Sequence, residues 1–458
     1  MRPSFAAVLL LATSLAGSWV AGCGSSGKED SARADGGGAD GPATTSSSGG
    51  SSGGDAGDDG GIEVAGDAGY PAFTPEMPQV VDQGGPVLTA PKIVTVTFAG
   101  DPNAPTIQSF DDAIGASSYW TVLAEYGVGP AISAAADHVV VQTALTTGID
   151  VSDIDTWVQT QIDGAPADGW PAPDTQTLYA VYVPVSVAPT SGGQDACTAS
   201  GEGYHYELNS PASGNGVSYA QILEGCYIDD QVPLLTDLME TASHELAEAS
   251  TDPFPDSNPA YYGFDTDHIA WEEWNDWQDE LADACEYFDE GYFQGGSDLP
   301  YMLSRLWSNA SARAGHDPCV PAPAGAYTNV SPLDLAGITV TAWDGNTTSS
   351  GANEYTSLAT RGWRIGVGAT AKVKVGFYSD GPAAPWTVQA VEGDCCTPGW
   401  PSVLTVSPAS FSGSNGDVVE LTITVNKAPS PGTAALLTFQ SDAGGGIHHY
   451  MPVIVGTY

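Results

Sequence analysis

The stretch Ala242–Pro253 reads "ASHELAEASTDP", and its core, His244-Glu245-x-x-Glu248, is a spacing that can hold a metal ion. Residues four apart on a helix project from one face about a turn apart, so His244 and Glu248 would face the same point. Glu245 stands where H-E-x-x-H metallopeptidases carry the general base that activates water. Here a glutamate replaces the second histidine. A carboxylate binds zinc but is harder than imidazole and adds negative charge. Acids make up about an eighth of the chain, so its seven histidines would produce roughly a tenth of an accidental match. The surrounding sequence must therefore carry the argument.

Further ligands come from later and earlier segments. "DWQDELADAC" supplies Glu280 and Asp283, which on a helix would share a face. Glu280 is the expected third ligand, and Asp283 would orient His244 or take a ligand's place. Asp252, just past the helix, and His205, in "GEGYHYELN", are alternative ligands. His268, in "DTDHIAW", and His448–His449 read as structural or surface residues. Trp271, Trp274 and Trp277 suit either the core or the wall of a cleft. Zinc is the expected metal. Calcium, on acidic segments such as "FDTDHIAWEEWND", is the second candidate, although no EF-hand spacing is present.

The elements that must position these residues can be read from periodicity. "KIVTVTF", "HVVVQTAL", "TLYAVYVPVSV" and "GVSYAQIL" are strand-like. "TIQSFDDAIGASSYWTVLAEYGV", with Ile107, Phe110, Ile114, Trp120 and Leu123 near helical spacing, and "VSDIDTWVQTQI" read as helices between them. "VPLLTDLMETASHELAEAS" places Pro233 where a first turn tolerates it and aligns Leu235, Leu238, Met239, Ala242, Leu246 and Ala249 on one apolar face. Alternation of strands and helices predicts an α/β layer over residues 71–322. Beyond "PAPAG", residues 326–458 hold seven strand-like runs, from "GITVTAW" to "YMPVIVG", separated by Gly, Pro, Asn and Ser. That pattern predicts an all-β, immunoglobulin-like sandwich.

Taken together, "SHELAEASTDP", "ELADAC" and "RLWSNASARAGHDPC", in that order, resemble the EXORDIUM-like (phosphate-induced protein) family and its bacterial relatives. "PKIVTVTF", "SSYWTVLAEYGVG" and "GEGYHYELN" are also similar to that family. The resemblance covers about residues 91–319. It implies a zincin-like domain, a mixed sheet with a long active-site helix, and assigns site roles to His244, Glu245, Glu248, Glu280 and Asp283. It also implies a Cys285–Cys319 disulfide. Many plant members have lost the His-Glu pair, which this chain keeps.

Composition places the protein outside the cytoplasm. Arg2, the apolar "FAAVLLLATSLAG" and then "VAGC" look like a bacterial lipoprotein signal, residues 1–22, with Cys23 as the lipidated residue. An ordinary secretion signal is the alternative. Residues 23–70 are rich in Gly, Ser, Ala and Asp, a tether with almost nothing to bury. Six further cysteines accord with export, and order along the chain favours Cys197–Cys226 and Cys285–Cys319, with Cys395 and Cys396 left open. The net charge of -45, from 56 acids against 11 lysines and arginines, repels nucleic acid and anionic lipid. Membrane contact is then expected through the lipid anchor alone. The expectation is an envelope-anchored zinc metallopeptidase acting on protein or peptide, its C-terminal sandwich meeting envelope or extracellular material. The alternative is a non-catalytic surface-binding protein on the same scaffold.

Overall fold

Strands Lys92–Phe98 (β1), His138–Val141 (β2), Thr177–Val183 (β3), Gly203–Asn209 (β4) and Gly216–Leu223 (β5) form one sheet in the order β2-β1-β3-β5-β4. The computed structural model describes residues 69–164, 169–209, 216–226, 233–275, 280–347, 353–394, 402–444 and 446–457. Cys23, the tether before residue 69, Trp277, Cys395 and Cys396 lie outside them. Four strands run parallel, and β4 closes one edge antiparallel to β5.

Both faces of the sheet are covered, which is why its central strands read as unbroken apolar runs. Ile93, Leu178, Ala180, Tyr182, Ala220 and Ile222 pack under helices α1 (Ala104–Ile114) and α3 (Leu234–Thr251). Val94, Val96, Tyr179, Val181 and Tyr219 pack under α2 (Val151–Asp163), which Asp150 caps. The long helical reading through Ile107 to Leu123 breaks: α1 ends at Ile114 and a separate 3-10 helix spans Tyr119–Tyr126. Gly115 marks the break, because a Cβ there would lie 2.3 Å from the Ala131 carbonyl oxygen.

Short helices Ile269–Trp274 (α4) and Asp283–Glu286 (α5) follow α3. Disulfides join Cys197 to Cys226 and Cys285 to Cys319, bonds that persist in oxidising compartments. No described helix is long and apolar enough to cross a membrane.

The remainder is two facing sheets. Thr328–Pro332 (β6), Thr370–Ser379 (β9), Leu404–Ser407 (β11) and Val418–Val425 (β13) make the first, in the order β6-β9-β13-β11. The second comprises Ala336–Thr347 (β7), Asn353–Arg364 (β8), Trp386–Glu392 (β10), Ser410–Gly413 (β12), Ala434–Gly444 (β14) and Ile447–Gly456 (β15). Its order is β7-β8-β15-β14-β10-β12. Phe377 of β9 meets Trp386 and Phe411 of the opposite sheet, with ring centroids 5.2 and 5.7 Å apart.

The apolar core is continuous from the α/β layer into the sandwich. Trp271, Trp274, Phe288 and Trp307 form an aromatic cluster, and Tyr450 of β15 packs on Trp274 at 4.8 Å. Both Trp271 and Trp274 are buried, so they fill core. The first described residues run across the sandwich before entering the α/β layer. The Ala72 amide donates to Asn415, Thr74 accepts from Ser331, and Glu76 pairs with Arg361.

Candidate metal centre

Helix α3 carries the His-Glu-x-x-Glu string with its apolar residues turned to the sheet, and Ser218 of β5 donates to the Ala249 carbonyl. The helix starts after Pro233 and ends at Asp252, whose amide still donates to Glu248 O. His244 and Glu248 meet as the four-residue spacing requires, Nε2 to Oε2 at 3.0 Å. Asp283 closes on the same nitrogen, its Oδ1 3.1 Å away. One imidazole N–H can satisfy one of these oxygens, whereas a cation satisfies the nitrogen and both carboxylates together.

Glu248 builds that convergence. Its Oε1 accepts the amides of Ala282 and Asp283 at 2.9 and 3.0 Å, holding the turn that delivers Asp283 to His244. The Cys285–Cys319 bridge ties down the chain just after the same turn. The expected shared helical face of Glu280 and Asp283 does not form, because α5 begins only at Asp283. Glu280 instead faces His205, Oε2 to Nε2 at 3.3 Å.

His205 arrives from the edge strand β4. It lies in register with Ala220 of β5, and directly paired residues point to the same face, here the face that carries α3. Its Nδ1 stands 3.6 Å from Glu245 Oε2 and 3.8 Å from Glu248 Oε2. Close approach of strand and helix needs Gly203, where a Cβ would sit 3.0 Å from Glu245 Oε1. Asp252 accepts the Ala260 amide through Oδ1, which fixes the chain leaving α3.

Two groups of side chains can therefore hold a metal ion: His244, Glu248 and Asp283, and His205, Glu245 and Glu248. Within each, the ligand atoms lie within 4.8 Å of one another. Burial is graded across them. The Glu248 side chain is 2% exposed, His244 14% and Asp283 25%, so the first group opens to solvent on the Asp283 side.

The electrostatics follow from carboxylates outnumbering imidazoles in a buried place. Burial disfavours charge on His244, but the Glu248 charge and the hydrogen bonds of Asp283 and Glu248 hold it well above the usual histidine range. Burial likewise opposes charge on His205, and Glu280 and Glu245 outweigh it, raising that imidazole too. Glu248 is pushed up by burial but pulled down more strongly by His244 and His205, to about 2. Burial raises Glu245, Glu280 and Asp283, against the opposing pull of the histidines. Among the described residues, lysine and arginine pair elsewhere: Lys92, Arg361 and Lys372 meet Asp137, Glu76 and Glu420.

Sequence reasoning missed two acidic neighbours, buried Glu240 and half-buried Glu286. Burial raises Glu240 to about 8 and Glu286 to about 7, with the His244 charge opposing in each case. The spacing Glu240–His244–Glu248 was the available signal, three residues four apart on one helical face. The remaining candidates have other partners. His268 bonds Asp265, His448 bonds Asp289, and His449 Nδ1 faces the Thr328 carbonyl.

No family model matches the chain, and neither does any curated protein. Among solved structures, WR4, an MSP family member of C. elegans, is 8% identical. The match covers 21% of this chain and 91% of that one, with a TM-score of 0.17. The class 5 fimbriae chaperone CfaA is 11% identical over 20% of this chain and 51% of its own, at 0.16. A β-glucosidase from Listeria innocua is 10% identical over 83% of this chain and 48% of its own, also at 0.16.

Proposed function

We propose that this protein is an exported, lipid-anchored metallopeptidase on a zincin-like scaffold, with an immunoglobulin-like sandwich as its second unit. The observation that carries the reading is His244 Nε2 facing Glu248 and Asp283 at 3.0 and 3.1 Å within a buried excess of carboxylates. Nitrogen and oxygen donors in that number suit zinc, and the group they form opens to solvent at Asp283. Bound there, a divalent cation would supply the positive charge that polarises a peptide carbonyl and the attacking water.

The chain's own residues do the rest. His244, Glu248 and Asp283 would hold the ion, so Asp283 takes the place expected of Glu280. Glu245, adjacent in sequence and raised by burial, accepts the proton of the attacking water and returns it to the leaving amine. The Ala282 and Asp283 amides hold Glu248 in place, so the ligand set is preorganised. The sandwich would dock the enzyme on envelope or extracellular material.

Metal analysis of the purified protein, with casein hydrolysis by wild type and Glu245→Gln, tests the reading. We expect about one tightly bound zinc in both proteins and hydrolysis at least ~100-fold lower in the variant, the usual scale for a lost general base. Bound metal without Glu245-dependent cleavage would make the protein a binding module on the same scaffold.

A further inference from the structure

We infer that His205, Glu245 and Glu248 form a second divalent-cation position, sharing Glu248 with the first, and that filling it switches the enzyme off. This rests on the preceding proposal for the position of the first ion and the role of Glu245.

The geometry around His205 suits a metal ligand. Its side chain is 6% exposed, and Nε2 has no hydrogen-bond partner among the described residues, although Glu280 stands 3.3 Å away. Nδ1 lies 3.6 and 3.8 Å from Glu245 and Glu248, beyond hydrogen-bonding distance. Two ligands each about 2.1 Å from one ion at the tetrahedral angle stand about 3.4 Å apart, near the 3.6 and 3.8 Å from Nδ1 to the two oxygens. Metal-bound imidazoles commonly give their other nitrogen to a carboxylate, and Glu280 is placed to receive it.

Charge points the same way. Four carboxylates, Glu245, Glu248, Glu280 and Asp283, lie within 3.8 Å of an imidazole nitrogen. One divalent cation leaves two negative charges over, and a second balances them. Glu248 Oε2 is common to both groups, 3.0 Å from His244 and 3.8 Å from His205. The second position consumes Glu245, and a carboxylate bound to an ion cannot take a proton from water. The two positions therefore differ in consequence: the first supports hydrolysis and the second removes its base.

Native mass spectrometry of the full mature chain, titrated with zinc alone, counts the ions directly. We expect wild type to pass from one to two zinc ions per chain and His205→Ala to stop at one. His205→Asn, closer in size and shape, should also stop at one, which separates loss of a ligand from loss of fold. Hydrolysis should fall at least tenfold as the second ion binds wild type, and the inhibitory zinc concentration should rise at least tenfold in His205→Ala. A single ion in wild type at every concentration, or two in both variants, overturns the second position. No ion in wild type would instead overturn the first, so the two failures are distinguishable. Two ions with undiminished hydrolysis would overturn the switch.

Discussion

The two oxygens of Glu248 have separate partners, one holding a backbone turn and the other facing two imidazoles. A residue readable from its spacing as a ligand is thus also the bracket for another ligand. Spacing along one helix could not show that, because the amides involved come from more than thirty residues away. Asp111 poses the opposite problem, an acid buried with hydroxyls for partners. Thr95 and Tyr182 donate to it at 2.7 Å each, yet burial wins and raises the carboxyl to about 7. The raised value means the folded chain keeps a proton that the unfolded chain has released, so stability falls as pH rises from about 4 to about 7. Asp111→Asn, which keeps the shape and cannot ionise, should remove that loss and gain on the order of 4 kcal/mol over wild type at pH 8 relative to pH 4. Urea denaturation midpoints of both proteins at the two pH values check this. An equal pH dependence in both would show that Asp111 ionises freely in the fold.

Elements differed sharply in how readable they were. β1, β3 and α3 were plain because each is buried along its length and its apolar pattern has nothing to compete with. Strand β4 was not. It is a half-exposed edge whose polar residues mask any alternation, and only its register with β5 sends His205 towards α3. The segment carrying Glu280 and Asp283 misled for a different reason: helical spacing was legible, but the chain makes a single turn there, held by Glu248 and by Cys285. That turn depends on its disulfide. Replacing Cys285 and Cys319 together by serine opens a loop with a sequence separation of 34, a loss of roughly 3–4 kcal/mol on the chain-entropy scale. Because Asp283 lies two residues from the bridge, zinc affinity should fall at least tenfold as well. Calorimetric titration would check it, and unchanged affinity would show that Glu248 alone holds the turn.

At the scale of the molecule, the α/β layer and the sandwich are joined by a small charged cluster as well as by the aromatic core. His268 Nδ1 bonds Asp265 at 2.6 Å, its Nε2 faces Glu76 at 3.6 Å, and Glu76 pairs with Arg361 of β8. Burial opposes charge on His268, but Asp265 and Glu76 raise it to about 9. An imidazole raised in this way stabilises the fold fully below about pH 6.5, and the contribution disappears as pH climbs through about 9. We expect thermal stability to drop between pH 7 and pH 10 by an amount worth about 2 kcal/mol, with a smaller drop in His268→Gln. Identical melting profiles for the two proteins would remove this cluster from the account.

The route of the first described residues has a practical outcome. Ala72, Thr74 and Glu76 are bound to the sandwich, yet the chain they begin goes on to build the α/β layer. A cut at the "PAPAG" junction, where the sequence invites one, would therefore strip the C-terminal piece of a strip of its own surface and leave that strip dangling from the other piece. Co-expressed fragments should reassemble where separate ones precipitate, so the protein is better handled as one indivisible object than as two modules on a string.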